Sequence, residues 1–209
     1  MILYCVRHGQ STYNAEGRIQ GQSDIPLSEF GHDQSQAVAA ALAEYPIDAI
    51  YSSPLTRAYQ TAEAVSGQLN LPIETDDRLK EIHAGIFQDK RRVDVEKLYP
   101  EETERWISED PDYVIPGGES RRQLMERGSE ALKAISSNGH RHVAVVAHGR
   151  LLIVTIKALL GIPPIEPPFA LQNCSITRIE VNGSGEFELI AMNEIDHLGE
   201  VGLGSAGDL

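Results

Sequence analysis

Two histidine–glycine pairs in the chain each follow an uninterrupted apolar stretch. The first is Arg7-His8-Gly9 after residues 2–6, and the second is His148-Gly149 after residues 143–147. A neutral imidazole can attack phosphorus and hold the phosphoryl group as phosphohistidine, which divides one difficult step into two. A neighbouring glycine lets phosphate oxygens approach the backbone closely. A single histidine after a strand is usually a hydrogen-bonded structural residue, so it is the two pairs together with nearby arginines and a helix N-terminus that indicate phosphoryl chemistry.

Two arginines could supply the positive charge that this chemistry needs. Arg7 precedes His8, and Arg57 falls in the first turn of a predicted helix, where a cation is unfavourable unless an anion lies nearby. Arginine forks match phosphate oxygens, and a helix N-terminus adds N–H donors. Because arginine can provide the charge that Mg²⁺ provides elsewhere, we predict that the protein needs neither a metal nor another cofactor.

Zinc ligation is the alternative explanation for the two histidine–glycine pairs. Zinc sites usually carry paired cysteines or an HExxH spacing. The chain has only two cysteines, Cys5 and Cys174, and no HExxH. Cys5 lies in an apolar stretch that is typical of a buried free thiol. The sequence therefore favours phosphoryl chemistry over a metal centre.

Strands and helices that could hold these residues alternate along the chain. Short apolar or β-branched runs predict strands over residues 2–6, 47–51 and 143–147, and an antiparallel hairpin over 175–181 and 187–192. Helical periodicity and capping residues predict helices over 28–44, 53–69, 119–136 and 150–160. Ser28 and Ser53 are the predicted N-caps, with Pro54 at the first position of the second helix. Gly161 and Pro163 are expected to end the last helix.

This alternation predicts an α/β fold, a three-layer α/β/α sandwich with a mostly parallel central sheet. In such sheets ligands bind outside the carboxyl ends of the strands. Arg7-His8, Ser53 with nearby Arg57, and His148-Gly149 all come just after predicted strands. We therefore expect three separate segments to bring polar groups to one edge of the sheet.

The length of 209 residues predicts a single domain spanning 1–209. Residues 75–118 have an irregular, heavily charged sequence pattern and are too polar to form a hydrophobic core of their own. We interpret about 82–118 as a cap region over the active face. The glycine-rich end, about 199–209, is interpreted as a flexible tail.

Charge and hydropathy exclude several partner classes. The formal net charge of −13 argues against nucleic-acid binding, which needs a basic face. A local arginine cluster can still bind a small anion, because salt screens surface carboxylates beyond about 8 Å. The longest late apolar run, 151–160, contains Lys157 and is too short to cross a bilayer. With no visible signal peptide, we expect a cytoplasmic protein with no membrane partner.

Five sequence blocks resemble the histidine phosphatase superfamily, the phosphoglycerate mutase-like group, in the order of that family. They are VRHGQSTYN, GRIQGQSDIPLSEFG at 17–31, SSPLTRAYQTAE at 52–63, PGGES at 116–120 and VAHG at 146–149. RHG alone is a weak signal, whereas the five blocks in series cover nearly the whole chain. The resemblance implies the phosphoglycerate mutase-like version of the predicted sandwich.

The resemblance also implies a role for each matching residue. His8 would be the nucleophile that becomes phosphorylated, and Glu81 would donate and accept the proton. His148 would contact the phosphate without attacking it. The other implied site residues complete the phosphate and substrate pockets: Arg7, Arg57, Asn14, Gln20, Gly21 and Gly149.

Departures from the family pattern bear on the substrate. Gln88 and Asp89 stand where family phosphatases often have Glu-Gly, and Ala147 replaces a common serine. The Ile82-His83-Ala84 stretch lacks the basic-aromatic segment of the longer cofactor-dependent mutases. The resemblance therefore favours a metal-independent phosphomonoesterase. Mutase-type phosphoryl transfer and a non-catalytic module that binds phosphorylated ligands are the alternatives.

We expect the partner to be a small phosphorylated metabolite. An exposed hairpin edge near Val181 could also support a homodimer.

Overall fold

A six-stranded sheet forms the middle layer of the computed structural model, which describes residues 1–108, 110–162, 170–199 and 201–202. In these ranges the strands are β1 (Ile2–Arg7), β2 (Ala49–Ser52), β3 (Ile73–Thr75), β4 (His142–Ala147), β5 (Ile176–Val181) and β6 (Phe187–Glu194). Their spatial order is β3-β2-β4-β1-β5-β6. Strands β1 to β4 pair in parallel, whereas β5 and β6 form an antiparallel hairpin beside β1.

Helices cover both faces of this sheet. They are α1 (Thr12–Glu16), α2 (Glu29–Leu42), α3 (Thr56–Leu69), α4 (Arg92–Leu98), α5 (Pro100–Ile107), α6 (Arg121–Ser136) and α7 (Gly149–Leu159). Short 3₁₀ turns lie at Asp77–Leu79, Gly85–Phe87 and Asp196–Leu198.

Alternation along β1 explains the three layers. Leu3 and Cys5 lie in a buried cluster with the apolar side chains of α6 and α7, whereas Tyr4 and Val6 lie in a second cluster with α2 and α3. Successive strand residues point to opposite faces, so one strand serves both cores. The predicted three-layer sandwich with a mostly parallel sheet is confirmed.

The strand ends meet as the sequence predicted. Arg7 pairs with Ala147 at the carboxyl ends of β1 and β4, and Ser52 pairs with Val146 at the end of β2. His8, Ser53 and His148, one residue after these strands, therefore emerge side by side.

The start of α3 differs from its prediction. Leu55 is the N-cap and the helix begins at Thr56, so Ser53 is not the cap and Pro54 is not its first residue. The Ser53 hydroxyl instead contacts His148. By contrast, Ser28 caps α2 as predicted, and its Oγ accepts a hydrogen bond from the Gly31 N–H.

The irregular region 82–118 contains α4 and α5 and contributes to the same buried cluster as β1 and β4, through Phe87, Val95, Trp106 and Ile115. Its role as a cap and the single-domain interpretation stay predictions. Pro163 and most of the predicted tail at 199–209 lie outside the described residues.

The predicted hairpin is confirmed, but its open edge is not at Val181. That residue is buried in β5, between β1 and β6, and the edge strand is β6. A homodimer stays a prediction, and a strand contact through the edge of this hairpin would use β6.

The first turn of α2 packs directly on the loop that follows β1. A Cβ at Gly31 would lie 1.9 Å from the Gln10 carbonyl oxygen, whereas a Cβ at Gly67 in α3 would meet no atom within 4 Å beyond its chain neighbours and the nearby backbone of its own helix. We predict that Gly31→Ala lowers the free energy of unfolding by about 3 kcal/mol or more. Gly67→Ala should raise it by about 0.5–1 kcal/mol, because alanine restricts the unfolded chain and favours helix.

Urea unfolding of both variants beside the wild type measures this difference. Equal stability of Gly31→Ala and the wild type would show that the α2 contact is not the constraint we describe.

Candidate active site

His8 lies fully buried at the end of β1, and two contacts define its tautomer. Its Nδ1 lies 2.6 Å from the Gly9 carbonyl oxygen, and its Nε2 lies 3.3 Å from Arg57 Nε. A carbonyl only accepts and a guanidinium only donates, so Nδ1 carries the proton and Nε2 presents a lone pair. This is the form of a neutral imidazole that can act as a nucleophile through Nε2.

The backbone around His8 is held from three sides. The His8 N–H donates to the Ala147 carbonyl at 3.0 Å, and Asn173 Nδ2 donates to the His8 carbonyl at 2.9 Å. The Cys174 N–H donates to the Arg7 carbonyl at 2.9 Å. These bonds fix the direction in which the His8 ring leaves the strand.

Arg57 and Arg7 bring two guanidinium groups into the buried site. Arg57 donates through Nη2 to the Gly21 carbonyl at 2.8 Å and through Nη1 to the Ser23 carbonyl at 3.0 Å. Arg7 donates to the Leu171 carbonyl. Arg57 thereby joins the His8 ring to the loop at 21–23.

His148 follows β4 and is also fully buried. The centroid of its ring lies 5.1 Å from that of His8, and its Nε2 lies 2.8 Å from Ser53 Oγ. Burial, and then the nearby charge of Arg57, lower the pKa of His148 well below its usual value of 6.5. His148 is therefore neutral at physiological pH.

Glu81 is buried against the N-terminus of α7. Its Oε1 accepts from the N–H groups of Ile82 at 2.8 Å and Leu151 at 3.0 Å, and its Oε2 accepts from the N–H of Arg150 at 3.0 Å. Since His148 is the N-cap of the same helix, the carboxylate and the second histidine share one helix terminus. The three donors favour the ionised form of Glu81 in this state.

Arg127 and Gln22 hold the Glu81 segment in place. Arg127 donates to the Glu81 carbonyl at 2.8 Å, and Gln22 Nε2 donates to the same oxygen at 3.0 Å. Arg127 is itself paired with Glu119 at 2.7 Å. Two side chains from different parts of the chain therefore fix the position of the Glu81 backbone.

Asn14 and Gln20 are connected through Ser11. The Asn14 N–H donates to Ser11 Oγ at 3.0 Å, and Ser11 Oγ donates to Gln20 Oε1 at 2.6 Å. All three are buried. The adjacent Gly21 has a φ of +52°, and a Cβ there would lie 2.5 Å from Gln88 Oε1, so both backbone and space require glycine.

The structure links the predicted site residues through direct contacts and shared elements. Arg57 contacts His8 and Gly21, the His8 ring lies beside that of His148, and Gly149 begins the helix whose first N–H groups donate to the Glu81 carboxylate. Asn14 and Gln20 form one buried group through Ser11, and Arg7 is the last residue of β1, directly before His8.

Several supporting residues are missing from the sequence prediction. Ser11, Asn173 and Arg127 act through backbone or long-range hydrogen bonds that residue type and spacing do not show. Ser11 does have a local sequence signal, since Ser11 and Asn14 form a capping box at α1.

The described residues contain no group of three or more His, Cys, Asp or Glu side chains arranged to hold a metal ion. Among the helices formed by these residues, none is both long and apolar enough to cross a membrane.

Comparisons with known proteins agree with this geometry. A model of the histidine phosphatase superfamily (branch 1) matches residues 3–195. The chain is 38% identical over 189 residues to the probable phosphoglycerate mutase GpmB of Escherichia coli, covering 87% of this chain and 86% of that protein.

Two solved structures are also similar. YhfR of Bacillus stearothermophilus has a TM-score of 0.86 at 32% identity, over 94% of this chain and 98% of that chain. The native mycobacterial glucosyl-3-phosphoglycerate phosphatase has a TM-score of 0.82 at 31% identity, over 92% of this chain and 98% of that chain.

The lowered pKa of His148 makes stability depend on pH. Below a pH of about 6.5 the unfolded chain binds a proton at this histidine that the folded protein does not bind. Stability should therefore fall as the pH falls, by up to about 1.4 kcal/mol per pH unit for this group. We predict that His148→Gln loses less stability than the wild type between pH 7.5 and pH 5.5.

Urea unfolding at the two pH values measures the difference. His197, whose pKa is also lowered by burial, contributes with the same sign in both proteins and cancels in the comparison. An identical pH dependence of the wild type and His148→Gln would contradict a neutral, buried His148.

Proposed function

The chain belongs to the histidine phosphatase superfamily, branch 1, and from this premise we propose that it is a phosphomonoesterase that works through a phosphohistidine on His8. The resemblance of the five sequence blocks to that superfamily is confirmed by the family match. The substrate class that we propose is a small phosphorylated metabolite.

The observation that carries the proposal is the tautomer of His8. Its Nδ1–H is engaged by the Gly9 carbonyl at 2.6 Å, which leaves the lone pair of Nε2 beside Arg57. A nucleophilic imidazole needs this arrangement, because the attacking nitrogen must be unprotonated.

In the first step, the lone pair of His8 Nε2 attacks phosphorus and the bond from phosphorus to the ester oxygen breaks. Glu81 donates a proton to the departing oxygen, so the product leaves as an alcohol. The phosphoryl group is then bonded to Nε2.

In the second step, water attacks the phosphorus of phosphohistidine. Glu81 takes the proton from the water, the bond between phosphorus and nitrogen breaks, and His8 recovers its lone pair. Over the two steps, one phosphate ester and one water molecule are converted to one alcohol and one inorganic phosphate.

Glu81 must gain a proton before the first step, since its three N–H donors favour the carboxylate. A phosphate dianion bound nearby opposes a second negative charge and so raises the proton affinity of the carboxyl group. A monoanionic phosphate ester, whose second pKa is about 6, could also bring the proton with it.

Arg7 and Arg57 would balance the charge of the phosphoryl group in the ground state and in the transition state. Both are buried, where a charge interacts more strongly than in water. The N–H of Gly149, at the start of α7, is a further donor for a phosphate oxygen. These groups support a reaction that does not require a metal ion.

Mutase-type phosphoryl transfer is the second candidate, because a relative at 38% identity is named a probable phosphoglycerate mutase. A mutase must exclude water until a second hydroxyl attacks the phosphohistidine. We favour hydrolysis because Ile82-His83-Ala84 follows the proposed acid and a structural relative at 31% identity is named a phosphatase.

Hydrolysis of p-nitrophenyl phosphate with and without EDTA tests the function. We expect phosphate release that EDTA does not change and that His8→Ala abolishes. Adding 3-phosphoglycerate as an acceptor separates the candidates, since a mutase transfers the phosphoryl group to it and a phosphatase releases inorganic phosphate. Wild-type protein without activity on a broad panel of phosphate esters would instead favour a non-catalytic binding module.

Glu81→Gln should slow the first step by an amount that depends on the leaving group of the substrate. An aryl oxide leaves without a proton, so the attack of His8 on aryl phosphates should be nearly unchanged, whereas alkyl phosphates should react about 10²–10⁴-fold more slowly. Rapid-quench measurement of the first turnover with matched aryl and alkyl esters gives both rates. Equal slowing of the two classes would overturn the role of Glu81 as general acid.

A further inference from the structure

Ser53 lies between the start of α3 and the ring of His148. Its Oγ is 3.3 Å from the Leu55 N–H and 2.8 Å from His148 Nε2, and both Ser53 and His148 are fully buried. The contact follows from the sheet, because β2 and β4 are neighbours and the Ser53 N–H donates to the Val146 carbonyl at 3.0 Å.

The single hydroxyl proton of Ser53 determines the form of the His148 ring. The Leu55 N–H can only donate, so Ser53 Oγ is an acceptor in that bond. Among the described residues, His148 Nε2 is the acceptor that remains for the hydroxyl proton. Nε2 must then present its lone pair, and a neutral His148 carries its proton on Nδ1.

The Nδ1 atom of His148 is buried and has no hydrogen-bond partner among the described residues. A buried N–H without an acceptor is unfavourable, and native structures rarely leave one unless a ligand or water completes it. The ring lies beside that of His8, at 5.1 Å between centroids. A phosphoryl oxygen at His8 is an acceptor of the required kind.

We propose that Ser53 is a positioning residue that holds His148 in its Nδ1–H tautomer, so that His148 donates a hydrogen bond to the phosphoryl group on which His8 acts. This inference rests on the proposed function. The two histidines then share one tautomer but use opposite nitrogens: His8 attacks through the lone pair of Nε2, and His148 donates through Nδ1–H.

The tautomer of His148 matters because the ring is neutral. Burial and the charge of Arg57 lower the pKa of His148, so the ring carries a single proton. An imidazolium would donate from both nitrogens regardless of Ser53. In the neutral ring the opposite tautomer would turn a lone pair towards the phosphoryl oxygens, and the resulting repulsion would oppose binding and transfer.

NMR of protein with ¹⁵N-labelled histidine tests the assignment without depending on activity. We expect the wild type to show a protonated Nδ1 and an unprotonated Nε2 at His148, assigned by the loss of its signals in His148→Gln. Inorganic phosphate should shift the Nδ1 signal and leave the Nε2 pattern unchanged. A protonated Nε2 in the wild type would overturn the inference.

Ser53→Ala should move His148 towards the opposite tautomer and lower kcat for p-nitrophenyl phosphate about tenfold, the loss expected for one hydrogen bond. Ser53→Thr keeps the hydroxyl and should restore both the tautomer and most of kcat. Ser52→Ala is the matched control, because Ser52 is equally buried but donates to the Ser53 carbonyl and not to His148. It should leave the tautomer unchanged.

The outcomes separate this inference from the proposed function. The Nδ1–H tautomer in an inactive wild type would contradict the phosphatase but leave the Ser53–His148 assignment standing. An active wild type whose His148 tautomer and kcat are the same in Ser53→Ala would contradict the role of Ser53 alone.

Discussion

The hydrogen bond from His8 Nδ1 to the Gly9 carbonyl is the interaction on which the rest of the site depends. It holds the proton on Nδ1, so that Nε2 presents its lone pair towards Arg57 Nε. The Gly9 backbone is fixed in turn, since its N–H donates to Thr61 Oγ1 at 3.0 Å. A Cβ at Gly9 would lie 2.5 Å from the Gly31 carbonyl oxygen, so α2 can approach only a glycine. The end of β1, the packing of α2 and the proposed chemistry of His8 therefore all constrain the same short segment, His8-Gly9.

The charge that the buried arginines bring to the site is opposite in sign to the net charge of the whole molecule. The chain carries a formal net charge of −13, yet buried Arg7 and Arg57 contribute to the lowered pKa of His148. The carboxylate of Glu81 is held at the N-terminus of α7, where backbone donors stabilise it. A phosphoryl group, the ligand that we propose for this site, would accept from arginine, imidazole and backbone N–H groups at once.

Sequence reasoning predicts the strand ends well and the hydrogen-bond network poorly. Arg7-His8 and His148 are found because apolar strands end there and parallel strands share one carboxyl edge. Ser53 is a residue that also suits a helix cap, and its true partner, His148, is 95 positions away. The short strand β3, Ile73–Thr75, is only partly buried and has little apolar pattern. The hydrogen bonds of the Glu81 carboxylate depend on where the N-terminus of α7 lies, and only tertiary packing determines that position.

The position of the phosphoryl group on the enzyme is the most direct test of this account. Protein with ¹⁵N-labelled histidine would be quenched during turnover of an activated aryl phosphate, and the bond between phosphorus and nitrogen would be assigned by ³¹P–¹⁵N coupling. The account predicts a phosphoryl group on Nε2 of His8. A phosphoryl group on Nδ1 of His8 or on His148, or turnover without any phosphoenzyme, would contradict it.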